Sequence, residues 1–179
     1  MNSNGEITSW SHETFSDTFL TRPVIGKDPG LRLLSTHYQK ESKPWPVTPP
    51  MLTVHGGIHR NIEPIYNFPS PRLVKHRVYD LPLRTSALRA LGAFGNIFAI
   101  ESMMDELAEA LKLDPFHFRL KHLNDEQGIQ TLIRLQELVD KDRVNFPQEA
   151  GLGISFARYK NSAGYCSLAV LLRVNDDAE

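Results

Sequence analysis

Asn96-Ile97-Phe98-Ala99-Ile100-Glu101-Ser102-Met103-Met104-Asp105-Glu106-Leu107-Ala108-Glu109-Ala110-Leu111-Lys112 is the stretch on which the fold turns. Ile100, Met103, Met104, Leu107, Ala108 and Leu111 recur at i, i+3, i+4, i+7, i+8 and i+11. That spacing lays one apolar stripe along an α-helix, so it predicts a helix over 97–112 with this face in the core. Asn96 is the expected N-cap, and Asp105, Glu106 and Glu109 fall on the wet side. Asp114-Pro115 then reads as a cap followed by proline at the first helical position. Phe116, Leu120 and Leu123 share a face of that second helix. A third helix is expected from about 126 to 140, with Ile129, Leu132, Ile133, Leu135, Gln136 and Val139 as its recurring residues.

Outward from the helices, the pattern changes. Pro147 and Gly151 mark a return to β structure. Segments 154–157 and 165–174 read as two strands joined by a turn at Asn161-Ser162-Ala163-Gly164. On the N-terminal side, 73–79 reads as a strand. Before it, Pro44, Pro46, Pro49, Pro50, Pro64, Pro69 and Pro71 crowd a segment where ladders and helices are disfavoured. An extended surface-crossing loop is expected there, packed on something through Trp45, Leu52, Ile58, Ile62, Ile65, Tyr66 and Phe68. A short β region opens near Ile7-Thr8-Ser9-Trp10, with a turn at 24–30 and a further strand at 31–36. The order predicts an α+β fold. It comprises a β region over 5–36, a proline-rich loop over 37–71, a strand, turn and helices over 72–145, and a β hairpin over 151–175.

A chain of 179 residues can bury one real core. The net charge of −1 supplies no field that would gather nucleic acid. No apolar run approaches the roughly 20 residues of a spanning helix. One cysteine, Cys166, excludes an intrachain disulfide and a cysteine-only metal centre, and fits a cytoplasmic compartment. It sits in an apolar strand, where a buried, inert thiol is expected.

Leu83-Arg84-Thr85-Ser86-Ala87-Leu88-Arg89-Ala90-Leu91-Gly92-Ala93-Phe94-Gly95-Asn96 is a compact turn with two arginines and two glycines. Such a turn can offer backbone N–H groups and a guanidinium to a large anion. Its bland counterpart is a loop–helix junction with a surface arginine and a glycine required for positive φ. His55-Gly56-Gly57-Ile58-His59 places two histidines at i, i+4, half of a zinc site if helical. The two glycines oppose a helix, so a fortuitous pair is the expectation and a small zinc protein the weaker alternative.

Four blocks carry a family resemblance: Arg89-Ala90-Leu91-Gly92, Glu101 to Ala108, Asp114 to Leu123, and Gly151 to Cys166. Together they resemble the large, molybdopterin-binding subunit of the molybdenum hydroxylases, the xanthine dehydrogenase and aldehyde oxidase superfamily. The Arg-Ala-Leu-Gly-Ala pattern is similar to the branch of isoquinoline oxidoreductase and nicotinate dehydrogenase. Many members carry Arg-Gly-Phe-Gly-Gly-Pro-Gln at this place. Arg89 and Gly92 match it, whereas Phe94-Gly95-Asn96 replaces the Gly-Pro-Gln end.

The resemblance implies that Arg89, Ala90, Leu91 and Gly92 approach the cofactor. From its residues the Glu101–Ala108 helix reads as structural, its carboxylates solvated; the alternative is that Glu101, close behind the turn, orients Arg89. Arg158 and Lys160 are expected to face solvent. In the family, molybdenum on molybdopterin carries the chemistry, in some members as the cytosine dinucleotide form. An N-heterocycle or aldehyde is hydroxylated with a glutamate as base, and electrons leave through a [2Fe–2S] small subunit. This chain shows no matching glutamate and no upstream glycine-rich cofactor loop; Glu179 lacks the surrounding motif. No catalytic residue and no protein metal ligand is therefore assigned. The chain is expected to be part of a large subunit whose remaining parts are its partners, neither holding the cofactor tightly nor turning over substrate alone. The competing reading is a non-enzymatic interaction module that binds a partner subunit through 44–71.

Overall fold

A computed structural model describes the chain except residues 3, 20–32, 34, 36–37, 42–49, 80, 83–84, 148 and 175–179. The turn expected at 24–30, most of the strand expected at 31–36, Trp45, Arg84 and Glu179 lie outside the described residues.

Three consecutive helices form the body. α1 spans Ala93–Ala110, α2 Pro115–Lys121 and α3 Glu126–Asp142. Ile100, Met104 and Ala108 of α1 are buried as their spacing requires, whereas Met103 is 42% exposed at the stripe's edge. α1 starts earlier than expected. Gly92 occupies the cap position, and Asn96 lies within the first turn, buried, with its side chain turned inward. α2 begins as its Asp-Pro pair dictates: Asp114 Oδ1 accepts from the His117 N–H at 2.9 Å. α3 repeats the device, with Asp125 Oδ1 accepting from the Gly128 N–H at 2.8 Å. Gly128 also lets the helix approach the hairpin, since a Cβ there would stand 2.8 Å from Phe156 Cζ.

Two small sheets flank the helices. β1 (Trp10–Ser16) and β2 (Pro71–Arg77) pair in parallel, from Trp10 opposite Pro71 to Ser16 opposite Arg77. β1 opens three residues later than Ile7, because the Ile7 N–H is engaged by His122 Nε2 at 3.3 Å. β3 (Gly151–Arg158) and β4 (Tyr165–Leu172) form the expected antiparallel hairpin. Its inner face carries Ile154 and Phe156, both buried, and packs beneath α3. Its outer face sets Gly151, Gly153, Ser155 and Ala157 against Leu172, Val170, Leu168 and Cys166. Those β4 residues are exposed.

The proline-rich segment departs from the expected surface-crossing loop. Ile58, Ile62, Tyr66 and Phe68 are buried in this chain's own core. Trp10 stacks on Phe68 at 4.7 Å between ring centroids. The prolines prevent ladder formation but not burial, because polar groups here are met by single bonds such as Asn67 N to His122 O at 2.8 Å. Leu52 and Val54 remain 83% and 82% exposed.

Candidate functional site

The turn before α1 is built from two left-handed residues, Ala90 (φ 69°) and Leu91 (φ 53°). Non-glycine residues adopt this region at a cost, so surrounding contacts must hold them there. The Leu91 N–H donates to Leu88 O at 3.2 Å and the Ala93 N–H to Ala90 O at 3.1 Å. Gly92 has φ −61°, open to any residue. The expectation that its glycine serves positive φ is therefore corrected. A Cβ at Gly92 would meet Ile58 O at 2.2 Å and Gly57 O at 2.6 Å, so space and not conformation demands glycine. Its N–H donates to Gly57 O at 3.1 Å.

This arrangement fixes which donors remain. The N–H groups of Leu91, Gly92, Ala93 and Phe94 are consumed within the protein. Those of Arg89 and Ala90, with the exposed Arg89 guanidinium, have no partner among the described residues.

Two further loops support the turn. Asn96 Nδ2 donates to Ile58 O at 2.9 Å and to Arg60 O at 3.0 Å. Asn61, fully buried at φ 57°, donates through Nδ2 to Arg158 O and to Asn161 Oδ1, both at 2.9 Å. Its Oδ1 accepts from the Lys160 N–H at 2.8 Å. Arg60 donates to the Tyr159 hydroxyl and lies over that ring. Loops 55–61, 88–96 and 158–163 are thereby tied into one structure. Neither asparagine was singled out in this role from sequence. Asn beside glycine-rich turns was the available signal, since asparagine tolerates the left-handed region and carries both donor and acceptor.

Glu101 does not orient Arg89. It lies on the buried side of α1 and faces α2, where its Oε2 accepts from Arg119 Nε at 2.9 Å and from the Phe156 N–H at 2.8 Å. Its Oε1 accepts from the Tyr66 hydroxyl at 2.7 Å. Arg119, with no exposed surface, also donates to Asp105 Oδ1 at 2.6 Å and Ile154 O at 3.2 Å. Burial pushes the Glu101 carboxyl above its ordinary range, against the pull of Arg119 and its other donors. Burial and the Glu101 charge push the Tyr66 phenol up as well. The carboxylate expected to be solvated is thus the centre of a knot joining α1, α2, β3 and the proline-rich segment.

Two other expectations change. Arg158 is half-buried, not solvent-facing: it pairs with Asp125 Oδ2 at 3.1 Å and lies over the Tyr165 ring at 4.8 Å. Cys166 is exposed, because the alternation of β4 turns it outward with Leu168. His59 is engaged on both ring nitrogens, by Thr53 O at 2.8 Å and Lys75 Nζ at 3.0 Å. Among the described residues no group of three or more His, Cys, Asp or Glu side chains could hold a metal ion. No helix among them is long and apolar enough to cross a membrane.

The turn lies within a stretch that resembles a known family. Residues 46–123 match the family model of the molybdopterin cofactor-binding domain. The chain is 33% identical over 107 residues to one of the subunits of nicotinate dehydrogenase from Pseudomonas putida, covering 55% of this chain and 9% of that protein. It is 33% identical over 99 residues to the beta subunit of isoquinoline 1-oxidoreductase from Brevundimonas diminuta, covering 47% of this chain and 13% of the relative. Quinoline 2-oxidoreductase from Pseudomonas putida 86 shares the fold over 87% of this chain and 20% of its own, with a TM-score of 0.56 at 17% identity. The chain therefore corresponds to a small part of each relative. Residues 46–123 thus resemble a molybdopterin cofactor-binding domain, and the chain is similar to parts of subunits of two oxidoreductases.

Proposed function

We propose that this chain forms one wall of a molybdopterin site in an oxidoreductase that hydroxylates an N-heterocycle or an aldehyde. The observation that carries the reading is the turn 89–92 within the matched domain. An exposed guanidinium and two N–H groups without a partner among the described residues, those of Arg89 and Ala90, suit the oxygens and sulfurs of the cofactor's anionic ring system. Leu91 and Gly92 act differently: the Leu91 N–H closes the turn on Leu88 O, and Gly92 seats it on Gly57 and Ile58, so that Arg89 and Ala90 are presented from a fixed base. When bound, the cofactor supplies the redox and oxygen-transfer chemistry, and the chain's own residues bind and orient it.

The remaining parts of the large subunit and a [2Fe–2S] small subunit complete this enzyme, and the chain alone does not turn over substrate. Two observations support that part. The relatives are matched over only 9% and 13% of their lengths. Large apolar side chains beside the turn are also uncovered: Leu88 is 79%, Phe94 80% and Phe98 72% exposed. Surface of this kind marks an interaction face.

The test is molybdenum content, measured by mass spectrometry, on the chain purified alone and co-expressed with its neighbouring reading frames. Metal is expected only in the complex, and Arg89→Ala should lower its molybdenum without loss of assembly. Release of cytidine monophosphate on acid treatment would assign the dinucleotide form. Unchanged molybdenum in Arg89→Ala, or stoichiometric metal on the isolated chain, would overturn the corresponding half of the reading.

A further inference from the structure

A second polar centre lies across the turn that receives Gly92. A pocket of about 360 Å³ opens where the loop 52–63 passes β2. Leu73 and Lys75 belong to its lining and, two apart on β2, share one face of the strand. Ile62, Leu52 and Val54 join Leu73 as its apolar part. His55 and His59, which bracket Gly56-Gly57, and Glu63 complete it.

Lys75 is the feature that calls for a ligand. Its ammonium has three N–H donors. One goes to Met51 O at 2.8 Å and one to His59 Nδ1 at 3.0 Å, both uncharged acceptors. His59 Nε2 lies 2.8 Å from Thr53 O and 3.4 Å from the Gly56 nitrogen; with its N–H on Nε2 toward Thr53 O, Nδ1 is the acceptor that meets Lys75. Lys75 makes no ion pair among the described residues, although Glu63 borders the same space. Arg60 adds a second positive charge beside the loop, its Nε bound to His55 O at 2.9 Å. A half-buried ammonium with a spare donor, set among aliphatic side chains, attracts an anion more strongly than one in open water. The apolar wall favours a ligand with an apolar body over a fully hydrated ion.

We infer that this pocket binds a small organic monocarboxylate, its carboxylate on Lys75 and its apolar body against Leu73 and Ile62. Nothing in this assignment depends on the cofactor, so it can be tested on the isolated chain.

The experiment is titration of the ¹⁵N-labelled chain with benzoate, with its neutral isostere benzamide, and with inorganic phosphate. Benzoate should give saturable shifts confined to the amides of 52–63 and 73–75, with benzamide at least about tenfold weaker. Lys75→Met should abolish the benzoate shifts and Lys75→Arg should restore most of them. Equal affinity for benzoate and benzamide, tighter binding of phosphate than of benzoate, or no saturable shift would each overturn the proposal. The benzoate–benzamide contrast is read on the unsubstituted chain, so it stands even if Lys75→Met fails to fold.

Discussion

Gly92 and Ile58 meet backbone to backbone: a Cβ on residue 92 would stand 2.2 Å from the Ile58 carbonyl oxygen. No rotamer relieves such a contact, because the obstructing atom is main chain. Gly92→Ala must therefore push the turn away from Gly57 and Ile58 and strain the 3.1 Å bond between Gly92 N and Gly57 O. Overpacking of this kind costs about 1–3 kcal/mol. Urea unfolding of Gly92→Ala should show that loss, and an unchanged midpoint would show that the two loops are not seated together.

Glu101 and Arg119 behave as a unit. Arg119→Met leaves the Glu101 carboxylate buried against Tyr66 and Phe156 without its counter-charge. Removing one partner of a buried pair costs about 3–5 kcal/mol, whereas replacing both with apolar groups recovers much of it. The double variant Glu101→Leu/Arg119→Met should accordingly be more stable than Arg119→Met alone. Additive losses in denaturant titrations would refute the coupling.

Asn61 fastens the hairpin tip to the loop beneath the turn through three side-chain hydrogen bonds. Asn61→Ala removes all three and leaves a Cβ residue at φ 57°. A loss on the order of 2 kcal/mol is expected, with Asn61→Gly milder because it relieves the backbone. Hydrogen exchange is the direct readout: amides of 158–163 should exchange faster in both variants.

Acid should weaken the fold through two histidines. Burial lowers the His12 imidazole, opposed by its bond to the Ile62 backbone. Burial likewise lowers His59, assisted by the Lys75 charge and opposed by the bond to Thr53. Both are neutral in the native state, so the unfolded chain binds more protons near its ordinary imidazole value of about 6.5. The contribution is whole above that value and is lost as pH falls through the lowered native values. Asp125 follows the same sign deeper in acid. Burial works against Asp125, but the Gly128 amide, the Tyr165 hydroxyl and Arg158 hold it below the usual range. Urea midpoints should fall from about pH 7.5 to about pH 5, and imidazole NMR titration should place His12 and His59 below an unstructured histidine.

Cys166 should react with a thiol reagent in the native chain. It faces outward on β4, so one equivalent of Ellman's reagent should label it without denaturant. Protection that disappears in urea would mean that the outer face of the hairpin is covered, as by self-association.

The sequence by itself determined the helical body and its punctuation. Periodicity placed the apolar stripe of α1, and Asp114-Pro115 placed the start of α2, because caps and stripes depend on residues within a turn or two of one another. The hairpin was legible for the same reason, its strands and turn being contiguous. The turn 89–92 was also visible as a segment, though not its workings. Tertiary structure alone decided what depends on distant segments: the parallel pairing of β1 with β2, the turning inward of Asn96, and the burial of Glu101 against Arg119. It also decided that Gly92 is glycine for want of space and that Cys166 points outward. Each of these is set by which surface another part of the chain brings alongside, a quantity that no local pattern of residue types encodes.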